Sequence, residues 1–178
     1  MEILLYYQCM HTFLIAAISL DGFIAEKTDQ ISTSWTSKED KKFFSERTKQ
    51  AGVIVMGSST YKTIGRPLPG RVNVVYSKSS QFEFKDENEG FVTDLAPADL
   101  LKKLERDGHD EVAICGGAMI YSMFMKAGLI DTLYLTIEPV LFGEGIKLFK
   151  DDISARLQLV NSSKMGENAV LLEYKLNK

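Results

Sequence analysis

Cysteine is nearly absent from this chain. Cys9 and Cys115 are its two examples, too few for a disulfide framework, so a reduced, cytoplasmic setting is the expectation. Long apolar runs are missing as well. Residues 1–9 are apolar but short, lack a basic flank and run into His11 rather than a cleavage pattern, which argues against a signal peptide or membrane span. They are expected to form an N-terminal extension, with Met10 as an alternative start and one domain over residues 10–178. Charge of either sign is scarce in excess. A net charge of −3 gives no general attraction to nucleic acid or anionic membrane, so an anionic ligand must be gripped by local groups. No repeat and no Pro/Ser-rich linker divides the 178 residues, a length that buries a sizeable core.

What the chain does have is alternation. Apolar runs at 13–18, 53–56, 72–76, 91–92, 112–115 and 132–137 read as strands. Helical spacing fills 38–50, a helix opens at Pro97 and stops before Gly108, and another follows Gly116-Gly117 and closes at Gly128. Residues 157–163 and 169–176 flank Gly166 like an antiparallel hairpin. Strands separated by helices require a mostly parallel sheet with helices on both faces. The expected fold is α/β: a single domain with a mostly parallel central sheet of about eight strands and an antiparallel C-terminal hairpin. Residues 79–90, polar and charged, are expected to form an exposed loop.

The stretch VIVMGSSTYKTIGRPLPGRVNVVYS, residues 53–77, is the densest in chemistry. A buried strand breaks at Gly57 into the hydroxyls of Ser58, Ser59 and Thr60, and the next strand ends at Ser77-Lys78. Backbone N–H groups, hydroxyls and one lysine at the ends of neighbouring strands suit a phosphate; capping by Ser58 or Ser59 is the plainer alternative. The turn Gly65-Arg66-Pro67-Leu68-Pro69-Gly70 places Arg71 at the start of a strand, where it suits a carboxylate. Asp40, Phe44 and Thr48 share one helical face. Beside Phe44 and Trp35 the acid is desolvated and its charged form disfavoured, unless it sits exposed in the first helical turn. Cys115-Gly116-Gly117-Ala118-Met119-Ile120-Tyr121 takes a strand straight into a helix, allowing a ligand's phosphates to approach the backbone or simply making a tight turn. Asp21-Gly22 turns the chain after the first strand, and residues 26–34 beyond it form a lid or a surface loop.

In this order, from about Thr12 to the C-terminus, the motifs resemble the dihydrofolate reductase family. The matching pieces are IGRPLPGR from Ile64 to Arg71, MG-x-x-T-Y before it, and N-V-V-Y-S after it. Others are W-x-x-x-x-D-x-x-x-F-x-x-x-T, I-x-G-G-x-x-x-Y and Y-L-T, the last followed by Glu138 where the spacing shifts. The resemblance implies an NADPH-dependent reductase of dihydrofolate. In it Asp40 supports protonation of the pterin, bonded by Thr136 and flanked by Trp35. Phe44, Ile64 and Leu68 wall the substrate, Arg71 holds its carboxylate tail, and Ala17 and Ile24 meet the nicotinamide. Gly57, Ser58, Ser59, Thr60, Ser77, Lys78 and the run from Gly116 to Tyr121 (with Gly117, Ala118, Met119 and Ile120) hold the cofactor, and no metal is implied.

Some positions depart from the pattern. Ser58 stands where the family usually places a basic contact for the 2′-phosphate, leaving Lys78 to replace it. The lid is longer than in compact bacterial members. Lys41, beside Asp40, replaces an apolar pterin contact and lowers the acid's pKa by its charge. The segments S-L-D-G-F-I-A and P-V-L-F-G-E-G-I-K-L-F look like the reductase domain of riboflavin biosynthesis, which acts on a ribosylaminopyrimidine phosphate. That is the runner-up, and a silent nucleotide-binding domain is a third reading. The partner implied is a small molecule, with no nucleic acid or membrane, and the chain is expected to be a monomer or homodimer.

Overall fold

The computed structural model describes residues 10–79 and 82–177; the expected extension at 1–9 lies outside them. Ten strands form: β1 (His11–Ser19), β2 (Phe23–Ala25), β3 (Val53–Gly57), β4 (Val72–Tyr76), β5 (Gly90–Thr93), β6 (Glu111–Ile114), β7 (Thr132–Glu138), β8 (Ile146–Lys147), β9 (Leu157–Met165) and β10 (Ala169–Leu176). Four α-helices accompany them: α1 (Lys38–Ala51), α2 (Ser58–Ile64), α3 (Pro97–Arg106) and α4 (Ala118–Lys126). Eight strands make one sheet in the order β5-β4-β3-β6-β1-β7-β10-β9. The first six are parallel neighbours, while β10 joins β7 and β9 antiparallel. This is the expected architecture. Among the described residues no helix is long and apolar enough to cross a membrane.

Period-two alternation decides which side chain serves which face. On β1, Leu14 and Ala16 join one apolar cluster and Phe13 and Ile15 the other. The same split runs through Val53 and Val55 against Ile54 and Met56 on β3, and through Val112 and Ile114 against Ala113 on β6. The first cluster takes up Leu100 and Leu104 of α3 and Phe124 of α4; the second takes up Tyr61 of α2 and Ala51 of α1. Both faces of the sheet are therefore covered, as a parallel sheet requires.

Two expectations need correction. The segment at 79–90 is not simply an exposed loop: Phe82 and Phe84 are packed on Tyr61, with ring centroids 5.0 and 5.6 Å away. Its aromatic residues were outvoted by the charges around them. The second concerns β2 and β8, absent from the expected strands. They pair with each other as a separate two-stranded ribbon, too short for periodicity to reveal.

Candidate active site

Strands β1, β3, β4, β5 and β6 end on one side of the sheet, and the loops leaving them enclose a cavity of about 880 Å³. Open α/β sheets place ligand sites in this position because the strand ends splay there. Most of the expected cofactor residues line it: Ala17, Ile24, Gly57, Ser58, Ser59, Thr60, Ser77, Lys78, Gly117, Ala118, Met119, Ile120 and Tyr121. Gly116 is the exception. It lies behind the wall, and its carbonyl accepts the Gly57 N–H at 2.8 Å, tying the β6 end to the β3 end.

The local chemistry leaves donors pointing at a ligand. Helix α2 starts from Gly57 with no side-chain cap, and α4 starts from Gly117 likewise. Ser58 and Ser59 are thus not spent on capping. Neither they, nor the Thr60 hydroxyl, nor the Lys78 ammonium has a side-chain hydrogen bond or ion pair among the described residues. The peptide Gly116-Gly117 is cis, and Gly116 has φ +107°. A Cβ there would lie 2.9 Å from the Tyr121 hydroxyl oxygen, and that hydroxyl is already committed, donating to the Ile15 carbonyl at 2.8 Å. The set of unengaged hydroxyls, one cation and two uncapped helix starts fits the phosphates of a dinucleotide. Lys27, Thr28, Gln30 and Ser32 add a wall, so the segment at 26–34 borders the cavity, and within the segment Glu26 and Gln30 are hydrogen-bonded to each other.

The acid lies inward. Asp40 is 9% exposed, which excludes the plainer reading of a solvated first-turn acid. Burial drives its pKa up from the ordinary carboxylate value, and the charge of Glu138 adds to the rise. Hydrogen bonds from Thr136 and Thr36 and the charge of Lys41 oppose it, without reversing it. Desolvation therefore outweighs the lysine that was expected to lower this acid. The Thr136 hydroxyl also lies 3.9 Å from the sulfur of Met165, the last residue of β9. Trp35 adjoins Thr36 in the chain, packs edge-on against Phe142 with centroids 5.0 Å apart, and keeps a buried indole N–H with no partner among the described residues.

Further along the same face of α1, Phe44 joins Ile64 and Leu68 in one apolar group and also lines the cavity. One turn on, the Thr48 hydroxyl donates to the Phe44 carbonyl at 2.6 Å and accepts a hydrogen bond from Arg71 Nη1. Arg71 Nε donates to the Pro69 carbonyl at 3.1 Å. Arg71 is 7% exposed and forms no ion pair among the described residues. Burial lowers its pKa from the ordinary arginine value, yet a guanidinium stays charged. It lines a second depression of about 580 Å³ with Leu68 and Pro69, outside the main cavity. Three of its five N–H groups remain for a carboxylate.

Sequence reasoning missed the partners of three polar residues that shape this site. Asn73, fully buried within β4, fastens the proline turn: its Nδ2 donates to the carbonyls of Leu68, Arg71 and Glu89, and its Oδ1 accepts the Leu68 N–H. Glu138, 2% exposed, holds Ser37. Asp21 accepts from Ser19 Oγ at 2.6 Å and from the N–H groups of Phe142 and Gly143, fixing the loop that meets Trp35. A polar residue inside an apolar run, as at Asn73, was the available signal.

Comparison with known proteins places the geometry. A family model described as dihydrofolate reductase matches residues 11–144. The dihydrofolate reductase of Buchnera aphidicola subsp. Baizongia pistaciae is 30% identical over 136 residues, covering 76% of this chain and 76% of its own. Among solved structures, a putative riboflavin biosynthesis protein from Shewanella superposes with a TM-score of 0.81 at 23% identity, covering 95% of this chain and all of its own. Dihydrofolate reductase from Enterococcus faecalis, solved with NADP(H), gives 0.73 at 24% identity, covering 98% of this chain and all of its own. At those identities the two structures speak for the fold.

Proposed function

The chain belongs to the dihydrofolate reductase family, and from that premise we propose that it reduces 7,8-dihydrofolate to 5,6,7,8-tetrahydrofolate with NADPH. One observation carries the choice of substrate. The inward face of α1 presents an acid at Asp40, an aromatic wall at Phe44 and, through Thr48, a buried arginine with no counter-ion among the described residues. Asp40 and Thr48 are eight residues apart, about 12 Å along a helix. A ligand lying on this face needs a ring that takes a proton at one end, an apolar middle and a carboxylate at the other. Dihydrofolate has that layout.

NADPH, when bound, supplies the hydride. Ser58, Ser59, Thr60 and Ser77 with Lys78 would hold its phosphates, and Ala17 and Ile24 would border the nicotinamide end. Asp40, its pKa raised by burial, would hold the proton that the neighbouring pterin nitrogen acquires. Phe44, Ile64 and Leu68 exclude water from the middle of the substrate. Lys41, a polar neighbour where a pterin is usually met by an apolar side chain, favours the second reading, reduction of a ribosylaminopyrimidine phosphate.

Absorbance of the reduced nicotinamide decides between them. Loss of absorbance with dihydrofolate and none with the aminopyrimidine phosphate is the expected result; the opposite pattern overturns the proposal. Asp40→Asn should lower the rate at neutral pH by roughly a hundredfold while leaving NADPH affinity unchanged. An unchanged rate removes Asp40 from the mechanism.

A further inference from the structure

Beside the acid of the proposed reaction sits a second buried carboxylate that this reaction does not consume. Glu138 ends β7, opposite Ser19 in the pairing with β1, and is 2% exposed. Its Oε1 accepts two hydrogen bonds from Ser37, from the backbone N–H at 2.8 Å and from Oγ at 2.7 Å. Ser37 is the N-cap of α1, and its Oγ accepts the backbone N–H of Asp40 at 3.2 Å. An unbroken chain of hydrogen bonds therefore runs from Glu138 through Ser37 to Asp40.

We infer that Glu138 is a positioning residue for Asp40, clamping the first turn of α1 to the sheet through Ser37 and setting a second carboxylate against the acid. The inference rests on the reading of Asp40 as the proton-holding group. Burying a carboxylate is costly unless it is hydrogen-bonded or paired, and the Glu138 side chain accepts its hydrogen bonds from Ser37. Satisfying an N-cap alone does not require one, since Ser37 already caps α1 by its own hydroxyl. The charge acts on Asp40 in the direction that keeps the acid protonated. Three charged or titratable groups are coupled to Asp40: Lys41 from α1, Glu138 from β7, and the Tyr121 phenol from α4. Lys41 pulls toward the ionised form, and Glu138 opposes it. Like charges in a partly screened interior interact strongly enough to shift a protonation equilibrium by about an order of magnitude.

Glu138→Gln tests this, because glutamine keeps an acceptor for Ser37 and loses the charge. The Asp40 carboxyl is followed by 13C NMR through a pH titration without substrate, its signal assigned by its loss in Asp40→Asn. Its midpoint should move to lower pH in Glu138→Gln. It should not do so in Ser37→Ala, which cuts the bridge and leaves the charge. A midpoint that stays in place or rises in Glu138→Gln overturns the inference. If that variant does not fold, Glu138→Met, of similar size, is titrated with the same two outcomes. The pH–rate profile with dihydrofolate and NADPH is then measured. At pH 8 the Glu138→Gln rate should fall on the order of tenfold with its KM for dihydrofolate unchanged; a loss of the same factor at every pH indicates a merely structural role and also overturns the inference. A shifted NMR midpoint in a protein whose wild type does not reduce dihydrofolate upholds the coupling and removes the proposed substrate instead.

Discussion

Replacing Asn73 by alanine isolates the residue that holds the proline turn in place. Its side chain is fully buried. It spans four backbone groups: the carbonyls of Leu68 at 3.0 Å, Arg71 at 3.0 Å and Glu89 at 2.9 Å, and the Leu68 N–H at 2.9 Å. An amide has two N–H groups, so three carbonyls share two protons and the full set is worth less than four separate bonds. At about 1 kcal/mol net per bond, with a further cost for groups left unpaired in the interior, the loss comes to about 3–4 kcal/mol. That is a large share of the roughly 5–15 kcal/mol by which domains are stable. For a chain of this size it lowers Tm by about 8–12 °C. The second effect is local. With the turn released, Arg71 loses its fixed position, and KM for dihydrofolate should rise roughly tenfold while that for NADPH holds. Scanning calorimetry and steady-state kinetics read the two effects separately. Asn73→Asp should fare worse than alanine, because it sets a carboxylate against three carbonyl oxygens. A Tm loss below about 3 °C, or an equal rise in both KM values, refutes the role given to Asn73.

Arg71→Leu removes the proposed carboxylate anchor; KM for dihydrofolate should rise by roughly 30-fold, about 2 kcal/mol for a charge-assisted pair, with no rise for a pteridine lacking the carboxylate tail. A similar loss with both substrates would assign Arg71 a structural role. Gly116→Ala forces a Cβ to within 2.9 Å of the Tyr121 hydroxyl at a positive φ. It should cost about 2–4 kcal/mol of stability and weaken NADPH binding measured by fluorescence titration; a wild-type Tm denies the close packing. Glu111 anchors α1 through Arg47, with bonds of 2.5 and 2.8 Å, and meets His11 at 2.6 Å. Burial pushes its pKa up, but the hydrogen bonds from Arg47 and His11 prevail and hold it below the ordinary glutamate value. A depressed folded pKa contributes stability above the unfolded value of 4.5 and loses it as pH falls through the folded one. The Tm gap between wild type and Glu111→Gln should therefore be open at neutral pH and close in acid. A gap that widens in acid contradicts the sign.

The parts of this molecule that repeat a simple rule were legible in the sequence. Val53 to Met56 is buried on both faces, and a continuous apolar run shows it; Val72, Val74 and Val75 do the same around one polar residue. Asp40, Phe44 and Thr48 recur at one helical turn, so their shared face followed from spacing alone. Residues whose roles depend on partners far along the chain were hidden. Asn73 interrupts an apolar run because the turn at Leu68 and the strand entry at Glu89 both meet it, and neither meeting can be read from position 73. Glu138 reads as the polar end of a strand until β7 lies beside β1 and its carboxylate reaches Ser37, 101 residues earlier. Phe82 and Phe84 sit among charges that mark a surface loop, yet Tyr61 offers them a place to bury. The β2–β8 ribbon has three residues on one side and two on the other, below any period.

Helix α1 shows why these hidden polar contacts matter together. Its buried positions are Asp40, Thr48 and Ala51, a set that offers little apolar surface to dock a helix of 14 residues. Phe43 and Phe44 are only half-buried, and the Arg47 guanidinium, stacked 3.8 Å over the Phe13 ring, replaces part of the missing apolar packing. The helix is instead fixed at separate points: Ser37 to Glu138 at its start, Thr48 to Arg71 on one face near its end, and Arg47 to Glu111 on another. Polar ties of defined length can hold a helix at a set distance from its neighbours, whereas apolar side chains would draw it in until the space closed. A helix docked by a greasy face would be drawn in until its own side chains closed the space that Phe44 borders. Pinned by hydrogen bonds and ion pairs, it leaves Phe44 on the wall of the main cavity and keeps Asp40 apart from Thr48, which holds Arg71, by a span fixed by its own pitch.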